Sequence, residues 1–258
     1  MLRLSVVIIA RDEERTIGQV IEACQPIASE IILVDSGSKD NTLTIAGNLG
    51  CKIYHQDWLG YAAQKNYAMS LASGDWILSL DADEVLTPSL VSEIKIVLSD
   101  VEAGRRQELG FKIPRVLYIG NTAIKHGGFY PDAQLRLIKK GQGEFNDRLV
   151  HEAIKMTGPV GTLNNYFKHY SYRDVQGFQD AMEKYARLYV KETLRTKAPQ
   201  GWKVSKLNEV VHPAWTFFYR YIVRAGFMDG FLGLQLSSIY SDYVRRKIKY
   251  LRDSVKEA

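Results

Sequence analysis

The chain has 258 residues, a length that fits one large domain or one domain with an appendage. Its 46% hydrophobic and 24% charged residues are ordinary for soluble globular proteins and exclude disordered, collagen-like and low-complexity classes. The net charge is +5, yet residues 174–258 hold fifteen Lys and Arg against nine Asp and Glu, so this segment carries the whole basic excess. Two cysteines, Cys24 and Cys51, are too few for a disulfide scaffold and predict buried thiols in a reducing compartment.

The first hundred residues alternate between two hydrophobic patterns. Apolar runs predict buried strands at 5–10, 30–35 and 75–80, and residues 51–55 supply the third strand of the same repeat. Each run precedes a stretch with apolar residues at helical spacing, and the last of these helices begins at Thr87-Pro88. Four such units predict an α/β fold with a doubly wound sheet, in which ligands bind beyond the carboxyl ends of the strands.

The pattern changes twice further along the chain. Residues 101–173 alternate short strands with Gly-rich turns, which predicts an α+β region. From Asp174 the period is helical, with one long helix before Pro199 and further helices at about 205–228 and 231–252. We therefore expect two zones, 1–173 and 174–258.

Acidic residues follow the predicted strands. Asp81-Ala-Asp83 comes directly after the fourth strand, and alternate side chains of an extended segment point the same way, so both carboxylates can share one cation. Such oxygens suit Mg²⁺ or Mn²⁺, which proteins often hold together with substrate phosphates. A metal-bound nucleoside diphosphate is the ligand we expect, and a solvated acidic turn is the alternative.

Two further loops would meet this acidic pair at the same edge of the sheet. Asp35 ends the second strand, where it can either cap the next helix or accept hydrogen bonds from a ligand. Arg11 and Glu13 follow the first strand, so their loop should stand beside Asp35. The expected result is a crevice lined with carboxylates.

Four motifs in this order resemble glycosyltransferase family 2, which has the GT-A fold, and most closely its lipopolysaccharide-core β-1,4-glucosyltransferase group. They are Ser5-Val-Val-Ile-Ile-Ala-Arg-Asp-Glu-Glu, Ile32-Leu-Val-Asp-Ser-Gly-Ser-Lys-Asp-Asn-Thr, Gln64-Lys-Asn and Gly74-Asp-Trp-Ile-Leu-Ser-Leu-Asp-Ala-Asp-Glu. The group also shares His126-Gly-Gly-Phe-Tyr-Pro-Asp132 and Phe145-Asn-Asp-Arg-Leu-Val-His-Glu152. The likeness is strong over 1–173 and weak beyond, and Asp12 departs from the Asn of many members.

The resemblance implies inverting transfer of a hexose such as glucose from a nucleotide-sugar, typically UDP-linked, to a saccharide or lipid-linked acceptor in lipopolysaccharide synthesis. Residues 1–173 would be the GT-A catalytic domain, a mixed sheet flanked by helices, and residues 174–258 a helical, basic and aromatic extension. The residues implied for the donor site are Arg11, Glu13, Asp35, which would bind the base, Lys65, Asp81 and Asp83.

The resemblance also implies Mg²⁺ or Mn²⁺ as the cofactor, held by Asp81, Asp83 and a late histidine. His169 matches that histidine, although a histidine hydrogen-bonded at a strand end is the alternative. Inversion needs a general base, for which we prefer Glu152 over Asp132 and Asp147. Gly127 and Gly128 would permit close approach of the backbone to donor or acceptor, or simply form a turn.

The C-terminal segment combines basic and aromatic residues. Ten of the chain's aromatic residues lie between Trp215 and Tyr250, interspersed with Lys and Arg. No charge-free stretch exceeds twelve residues, against the roughly 18 that a membrane-spanning helix needs. We expect a cytoplasmic protein attached peripherally to the inner face of the plasma membrane. The alternative is a helical subdomain that packs its aromatics internally or on a second copy in a homo-oligomer.

Two other functions fit parts of the sequence. A sugar-nucleotidyltransferase would use a related sheet, but it usually has a Gly-rich basic loop after the first strand, and this chain has no glycine between Arg11 and Gly18. A nucleic-acid-binding protein would explain the basic segment. It would leave the clustered carboxylates unexplained, so we expect no nucleic-acid partner.

Overall fold

The computed structural model of the protein describes residues 2–146, 153–196 and 206–256. The strands are β1 (Leu4–Ala10), β2 (Glu30–Asp35), β3 (Lys52–His55), β4 (Trp76–Asp81), β5 (Glu84–Leu86), β6 (Gly110–Ile113), β7 (Arg115–Ile119), β8 (Thr122–Ile124), β9 (Gln134–Lys139), β10 (Gly143–Phe145), β11 (Ile154–Met156), β12 (Val160–Thr162) and β13 (Phe167–Tyr172). The α-helices are α1 (Ile17–Cys24), α2 (Thr42–Asn48), α3 (Tyr61–Ser70), α4 (Pro88–Glu102), α5 (Val175–Thr196), α6 (Asn208–Phe218) and α7 (Gly230–Lys256).

The chain forms two compact units. The first unit comprises Met1–Val116 and Asp132–Tyr170, and the second comprises Leu117–Pro131 and Ser171–Ala258. The segment 117–131 thus belongs with the C-terminal helices rather than with the sequence on either side of it.

A seven-stranded mixed sheet forms the centre of the first unit. Its spatial order is β12-β6-β9-β4-β1-β2-β3, with β4, β1, β2 and β3 mutually parallel and β9 antiparallel to both of its neighbours. The four predicted strand-helix units are present. The sheet confirms the predicted α/β class, a mixed sheet flanked by helices.

Both faces of the sheet are covered by helices. Along β1, Val6 and Ile8 point into one core with α1 and α4, whereas Val7 and Ile9 point into the other core with α3. All seven residues of β1 are buried, which explains why its sequence is continuously apolar rather than alternating.

The register of the parallel strands brings three loops to one edge of the sheet. Ala10 of β1 lies beside Asp35 of β2, and Ile9 lies beside Asp81 of β4. The loops that follow these three strands therefore start side by side. An antiparallel pairing adds a fourth element, because β13 runs along β5 with His169 opposite Glu84.

The second unit is mainly helical. Helix α7 packs against α5 and α6, and a small core joins Ile119, Ile124, Phe178, Met182 and Leu236. No helix in the described parts of the chain is long and apolar enough to span a membrane.

The helix predicted over 205–228 is interrupted. Helix α6 ends at Phe218, and a π-helical segment follows over Tyr219–Val223. The chain then turns at Ala225, whose backbone is left-handed at φ 54°, and enters a 3-10 segment over Gly226–Asp229. A Cβ at Gly226 would lie 2.8 Å from the carbonyl oxygen of Arg220, so the turn closes only around glycine. Apolar periodicity continues through this turn and does not reveal it.

Candidate active site

Reciprocal hydrogen bonds fix the first loop against the second. The backbone N–H of Asp12 donates to Ser38 Oγ at 2.9 Å, and that of Glu13 donates to Thr42 Oγ1 at 2.8 Å. In return, the N–H of Lys39 donates to Asp12 Oδ1 at 2.7 Å. Asp12 has a left-handed backbone at φ 56°, which Asp and Asn adopt more readily than other non-glycine residues. The loop geometry therefore accommodates Asp here as well as Asn.

Asp35 lies almost fully buried at the end of β2 and organises the turn behind it. Its Oδ2 accepts hydrogen bonds from the N–H groups of Gly37 at 2.8 Å and Ser38 at 3.0 Å, and its Oδ1 accepts from Ser38 Oγ. The residue therefore caps its own turn, while Asp40 accepts from the N–H of Thr42 at the start of α2.

Glu13 lies in a strongly negative environment. Burial raises the pKa of its carboxyl group, and the carboxylate of Asp83 raises that pKa further, with smaller contributions from Asp40 and Asp81. Thr16 Oγ1 donates to Glu13 Oε2 at 3.1 Å and opposes part of this effect. The structure thus brings Glu13 of the first predicted loop near Asp81 and Asp83 of the fourth, and we call these three residues the acidic crevice. Asp35 ends the strand beside β1.

Asp83 and His169 face each other in this crevice. His169 Nε2 lies 3.4 Å from Asp83 Oδ2, with both side chains partly exposed. The backbone N–H of Tyr170 donates to the carbonyl oxygen of Asp83 at 2.9 Å, so the pairing of β13 with β5 holds the two residues in place.

Two cationic side chains form ion pairs with Asp81. Lys65 Nζ lies 2.8 Å from Oδ1, and Arg136 Nη2 lies 2.8 Å from Oδ2. Burial raises the pKa of Asp81, but Lys65 and Arg136 outweigh that effect and hold the pKa well below its ordinary value. Asp81 is therefore ionised, and its orientation is fixed from both sides.

The ion pairs continue beyond Asp81. Arg136 Nη2 also donates to Glu84 Oε1 at 2.6 Å, and Glu84 Oε1 lies 3.8 Å from Arg115 Nη1. Arg115 in turn pairs with Asp132 Oδ2, and Gln134 Nε2 donates to Asp132 Oδ1 at 2.8 Å. A row of alternating charges thus runs from Lys65 to Asp132, and we call it the ion row.

Sequence reasoning did not assign roles to Arg136, Glu84 and Arg115. Arg136 is 5% exposed and Glu84 is fully buried, so each side chain needs the opposite charge of the other to offset the cost of its burial. One signal was available: Arg136 is a charged residue in the middle of an otherwise apolar strand, Gln134-Leu-Arg-Leu-Ile.

Four of the predicted site residues remain, namely Arg11, Glu152, Asp147 and Asp132. Arg11 is exposed, with its Nε 3.9 Å from Asp12 Oδ2, so its guanidinium is open to solvent beside the first loop. The preferred base, Glu152, and the alternative Asp147 lie outside the described residues. Asp132, the other candidate, is held by Arg115 and Gln134 as part of the ion row.

The donor groups at Asp83 and His169 fit a divalent cation that is shared with a substrate. Within the ranges that the structure describes, no cluster of three or more His, Cys, Asp or Glu side chains has ion-binding geometry. The carboxylate of Asp83 suits Mg²⁺ or Mn²⁺, which often take further ligands from substrate phosphates and water, and the imidazole of His169 could add one nitrogen ligand. Burial is the largest cause of the raised pKa of Glu13, and the carboxylates of Asp83, Asp40 and Asp81 add to it, so a cation bound near Asp83 would lower that pKa.

The comparisons with known proteins identify the family. The family profile "Glycosyl transferase family 2" matches residues 5–99, which include the first loop, Asp35, Lys65, Asp81 and Asp83. An uncharacterized glycosyltransferase of Rickettsia felis is 31% identical over 265 residues, covering 99% of this chain and 91% of the relative.

Two further matches extend over nearly the whole chain. The lipopolysaccharide core biosynthesis glycosyltransferase LpsC of Rhizobium meliloti is 28% identical over 99% of this chain and 94% of its own length. Among solved structures, TarS of S. aureus matches with a TM-score of 0.48 and 14% identity, covering 99% of this chain and 92% of TarS. With the Rickettsia relative and the family profile taken together, this chain belongs to glycosyl transferase family 2.

Proposed function

We propose that the protein transfers a hexose such as glucose, with inversion, from a UDP-linked sugar to a saccharide or lipid-linked acceptor in the synthesis of cell-envelope lipopolysaccharide. The observation that carries the proposal is the acidic crevice, where Asp83 faces His169 and Asp81 is fixed between two cations. The similarity to LpsC supports the choice of acceptor class.

The donor nucleotide would bind along the first two loops. Asp35 is almost fully buried, but its carboxylate has acceptor capacity beyond the hydrogen bonds from Gly37 and Ser38, and an N–H group of a base that reaches the end of β2 would bind there. Arg11 supplies an exposed guanidinium for the diphosphate, and Glu13 an acceptor for sugar or ribose hydroxyls. Lys65 lies too deep to reach solvent freely, so it acts on the donor through Asp81.

Mg²⁺ or Mn²⁺ would be held by Asp83 and His169, with Asp81 as the third predicted ligand, and when bound it would neutralise the charge that develops on the departing diphosphate. The protein's own contribution is to fix these groups before the donor arrives. Lys65 and Arg136 hold Asp81 ionised, and the strand pairing positions His169. Fixed groups need no reorganisation during the reaction.

Inversion requires a base on the face of the sugar opposite the leaving group, which removes the proton of the acceptor hydroxyl. We propose Glu152 for this role, with Asp132 second. Both oxygens of Asp132 already accept hydrogen bonds, from Arg115 and from Gln134. It would have to exchange one of these partners before it could accept the proton.

We also propose that residues 1–173 carry out the transfer and that residues 174–258 attach the protein to the cytoplasmic face of an anionic membrane. Eleven large apolar side chains are exposed between Leu207 and Phe231, and we call these the apolar ridge: Leu207, Val210, Val211, Trp215, Phe218, Tyr219, Ile222, Val223, Phe227, Met228 and Phe231. Nine Lys and Arg against four Asp and Glu in residues 206–256 add an attraction for anionic lipids.

A transfer assay tests the proposed activity. Purified protein is incubated with UDP-glucose and a truncated lipopolysaccharide core, and both UDP release and the product's anomeric configuration are measured by NMR. We expect acceptor-dependent UDP release and an inverted linkage. Release from neither UDP-glucose nor other UDP-hexoses by folded protein would reject the donor class, and a retained configuration would reject the mechanism.

A further inference from the structure

A half-buried arginine in the second unit, Arg220, has no acidic partner among the residues that the structure describes. The guanidinium of Arg220 lies against two aromatic rings that contact each other, 4.2 Å from the centroid of Phe129 and 3.8 Å from that of Tyr240. Its Nε is buried and has no hydrogen-bond partner. In the described parts of the chain no carboxylate lies near enough to offset its charge. The rings recover part of the cost of burial but provide no hydrogen-bond acceptor.

A second arginine lies beside the first. Arg224 follows Arg220 by about one helical turn. Burial lowers the pKa of Arg220, and the charge of Arg224 lowers it further. Like charges at this spacing repel each other. The acidic residue nearest to this pair in the sequence, Asp229, contacts His126 instead. Its Oδ1 lies 2.8 Å from His126 Nδ1, and its Oδ2 accepts a hydrogen bond from the N–H of His126 at 2.9 Å.

Five of the six other arginines described in the second unit have acidic partners, and the sixth, Arg173, is exposed to solvent and bears no cost of burial. Arg187 pairs with Glu183, Arg245 with Asp242, and Arg246 with both acids. Arg252 pairs with Glu209 and Asp253. The unit therefore supplies acids to arginines elsewhere, which makes the uncompensated pair a specific feature rather than a consequence of a basic composition.

A glycine loop lies next to the pair. Gly127 and Gly128 are both left-handed, at φ 64° and φ 77°, and the N–H of Gly127 donates to the carbonyl oxygen of Arg224 at 2.9 Å. A Cβ at Gly128 would lie 3.6 Å from Arg224 Nε and 3.8 Å from Arg220 Nη1. The loop thus meets both guanidinium groups with backbone alone, and no side chain at position 128 occupies the space beside them.

We propose that Arg220 and Arg224, together with the Gly127-Gly128 loop, form a binding site for a phosphate group. Guanidinium groups match phosphate oxygens with paired hydrogen bonds, and two of them suit a doubly charged phosphate better than a single carboxylate. A bound phosphate would give the pair its missing counter-ion, and partial burial strengthens the attraction. The phosphate belongs either to a lipid or to a soluble sugar phosphate.

Calorimetric titration of inorganic phosphate into the full chain, at constant ionic strength set with chloride, tests the site. Arg224 is exposed, so Arg224→Gln should fold, and Arg245→Gln removes the same charge from a paired position on α7. We expect Arg224→Gln to weaken phosphate binding by about tenfold or more and the control to leave it unchanged. Arg220→Lys, which keeps the charge but loses the planar fork, should weaken it as well.

Absence of phosphate binding by the wild type, or equal binding by Arg224→Gln and Arg245→Gln, would overturn the proposal. Phosphate bound in the acidic crevice of the first unit would bind equally well to Arg224→Gln, so this variant distinguishes that site from the arginine pair. The proposal also stands independently of sugar transfer, because UDP binding reports on the first unit and should not change in Arg224→Gln.

Two further measurements distinguish the sources of the phosphate. If it belongs to a lipid, Arg224→Gln should reduce cosedimentation with phosphatidylcholine vesicles that contain phosphatidic acid, compared with Arg245→Gln. If it belongs to a soluble sugar phosphate, glucose 1-phosphate should compete with inorganic phosphate, and vesicle binding should be the same for both variants.

Discussion

His169 Nε2 lies 3.4 Å from Asp83 Oδ2, although the two residues are 86 positions apart in the sequence. The antiparallel pairing of β13 with β5 brings them together, so the contact is a property of the sheet rather than of a flexible loop. Asp83 lies in the turn between β4 and β5, and His169 lies on β13, and we propose that this carboxylate and this imidazole act as metal ligands. The chemistry proposed for the protein depends on this pair more than on any other contact.

The ion row makes Arg136 the side chain whose loss should affect stability most. Arg136→Met removes the cation that Asp81 and Glu84 share and leaves both carboxylates in the protein interior. We therefore expect the free energy of unfolding to fall by about 3–5 kcal/mol. Urea unfolding followed by circular dichroism measures it. Adding Glu84→Gln should recover part of the loss, because one stranded charge is removed.

The matched control for Arg136→Met is Arg105→Met, which breaks the exposed pair with Asp100 and should cost less than about 1 kcal/mol. Equal losses in the two variants would show that the ion row does not stabilise the first unit.

The first loop depends on a left-handed residue at position 12. Asp12→Asn should leave stability nearly unchanged, since Asn adopts this conformation and can still accept from the N–H of Lys39. Asp12→Val should lose roughly 1–3 kcal/mol, because a β-branched residue is strained there. Thermal unfolding compares the two variants with Asp57→Val at an exposed site. Asp12→Val as stable as Asp12→Asn would contradict the expectation.

Glu30 gives the protein a pH-dependent contribution to stability. Burial raises the pKa of Glu30, but hydrogen bonds from Lys52, Ser5 and Ser73 outweigh it and lower the pKa to about 2 from 4.5. A lowered pKa stabilises the fold above pH 4.5, and this contribution is lost as the pH falls from 4.5 towards 2.

Glu30→Gln should therefore destabilise the protein at pH 7 by roughly 2 kcal/mol, after allowance for solvent screening, and the difference from wild type should shrink below pH 4.5. Denaturant unfolding at several pH values measures the difference, with Glu22→Gln on the exposed side of α1 as the control. A difference that stays constant with pH would rule out ionisation of Glu30 as its cause.

The apolar ridge makes the membrane proposal testable. Trp215 and Phe231 are 61% and 73% exposed, and replacing both with Ser should lower binding to anionic vesicles by at least about tenfold. Vesicle flotation measures the loss. The control replaces Trp58 and Ile96 with Ser, because they are exposed apolar residues of the first unit. Equal flotation of the two double variants would favour internal packing or a second copy of the chain.

Sequence patterns predicted the parts of the structure that repeat with a short period. The four strands and the edge that holds Asp35 and Asp81 follow from apolar runs and from the rule that parallel strands end together. The resemblance, rather than spacing, singled out His169. The ion row could not be predicted in full, because Arg115 and Arg136 meet their partners only through strands that are distant in sequence. The turn at Ala225 could not be predicted either, because the spacing of apolar residues carries no information about the close backbone contacts around Gly226.

Calorimetric titration of UDP, with Mn²⁺ and again with EDTA, tests the central claim most directly. Wild type and the exposed-site control Asp57→Asn should bind UDP much more tightly with Mn²⁺, whereas Asp83→Asn and His169→Gln should lose about tenfold or more in affinity and most of the dependence on Mn²⁺. UDP binding that is equal with and without Mn²⁺, or equal in all four proteins, would contradict a metal-assisted donor site at Asp83 and His169.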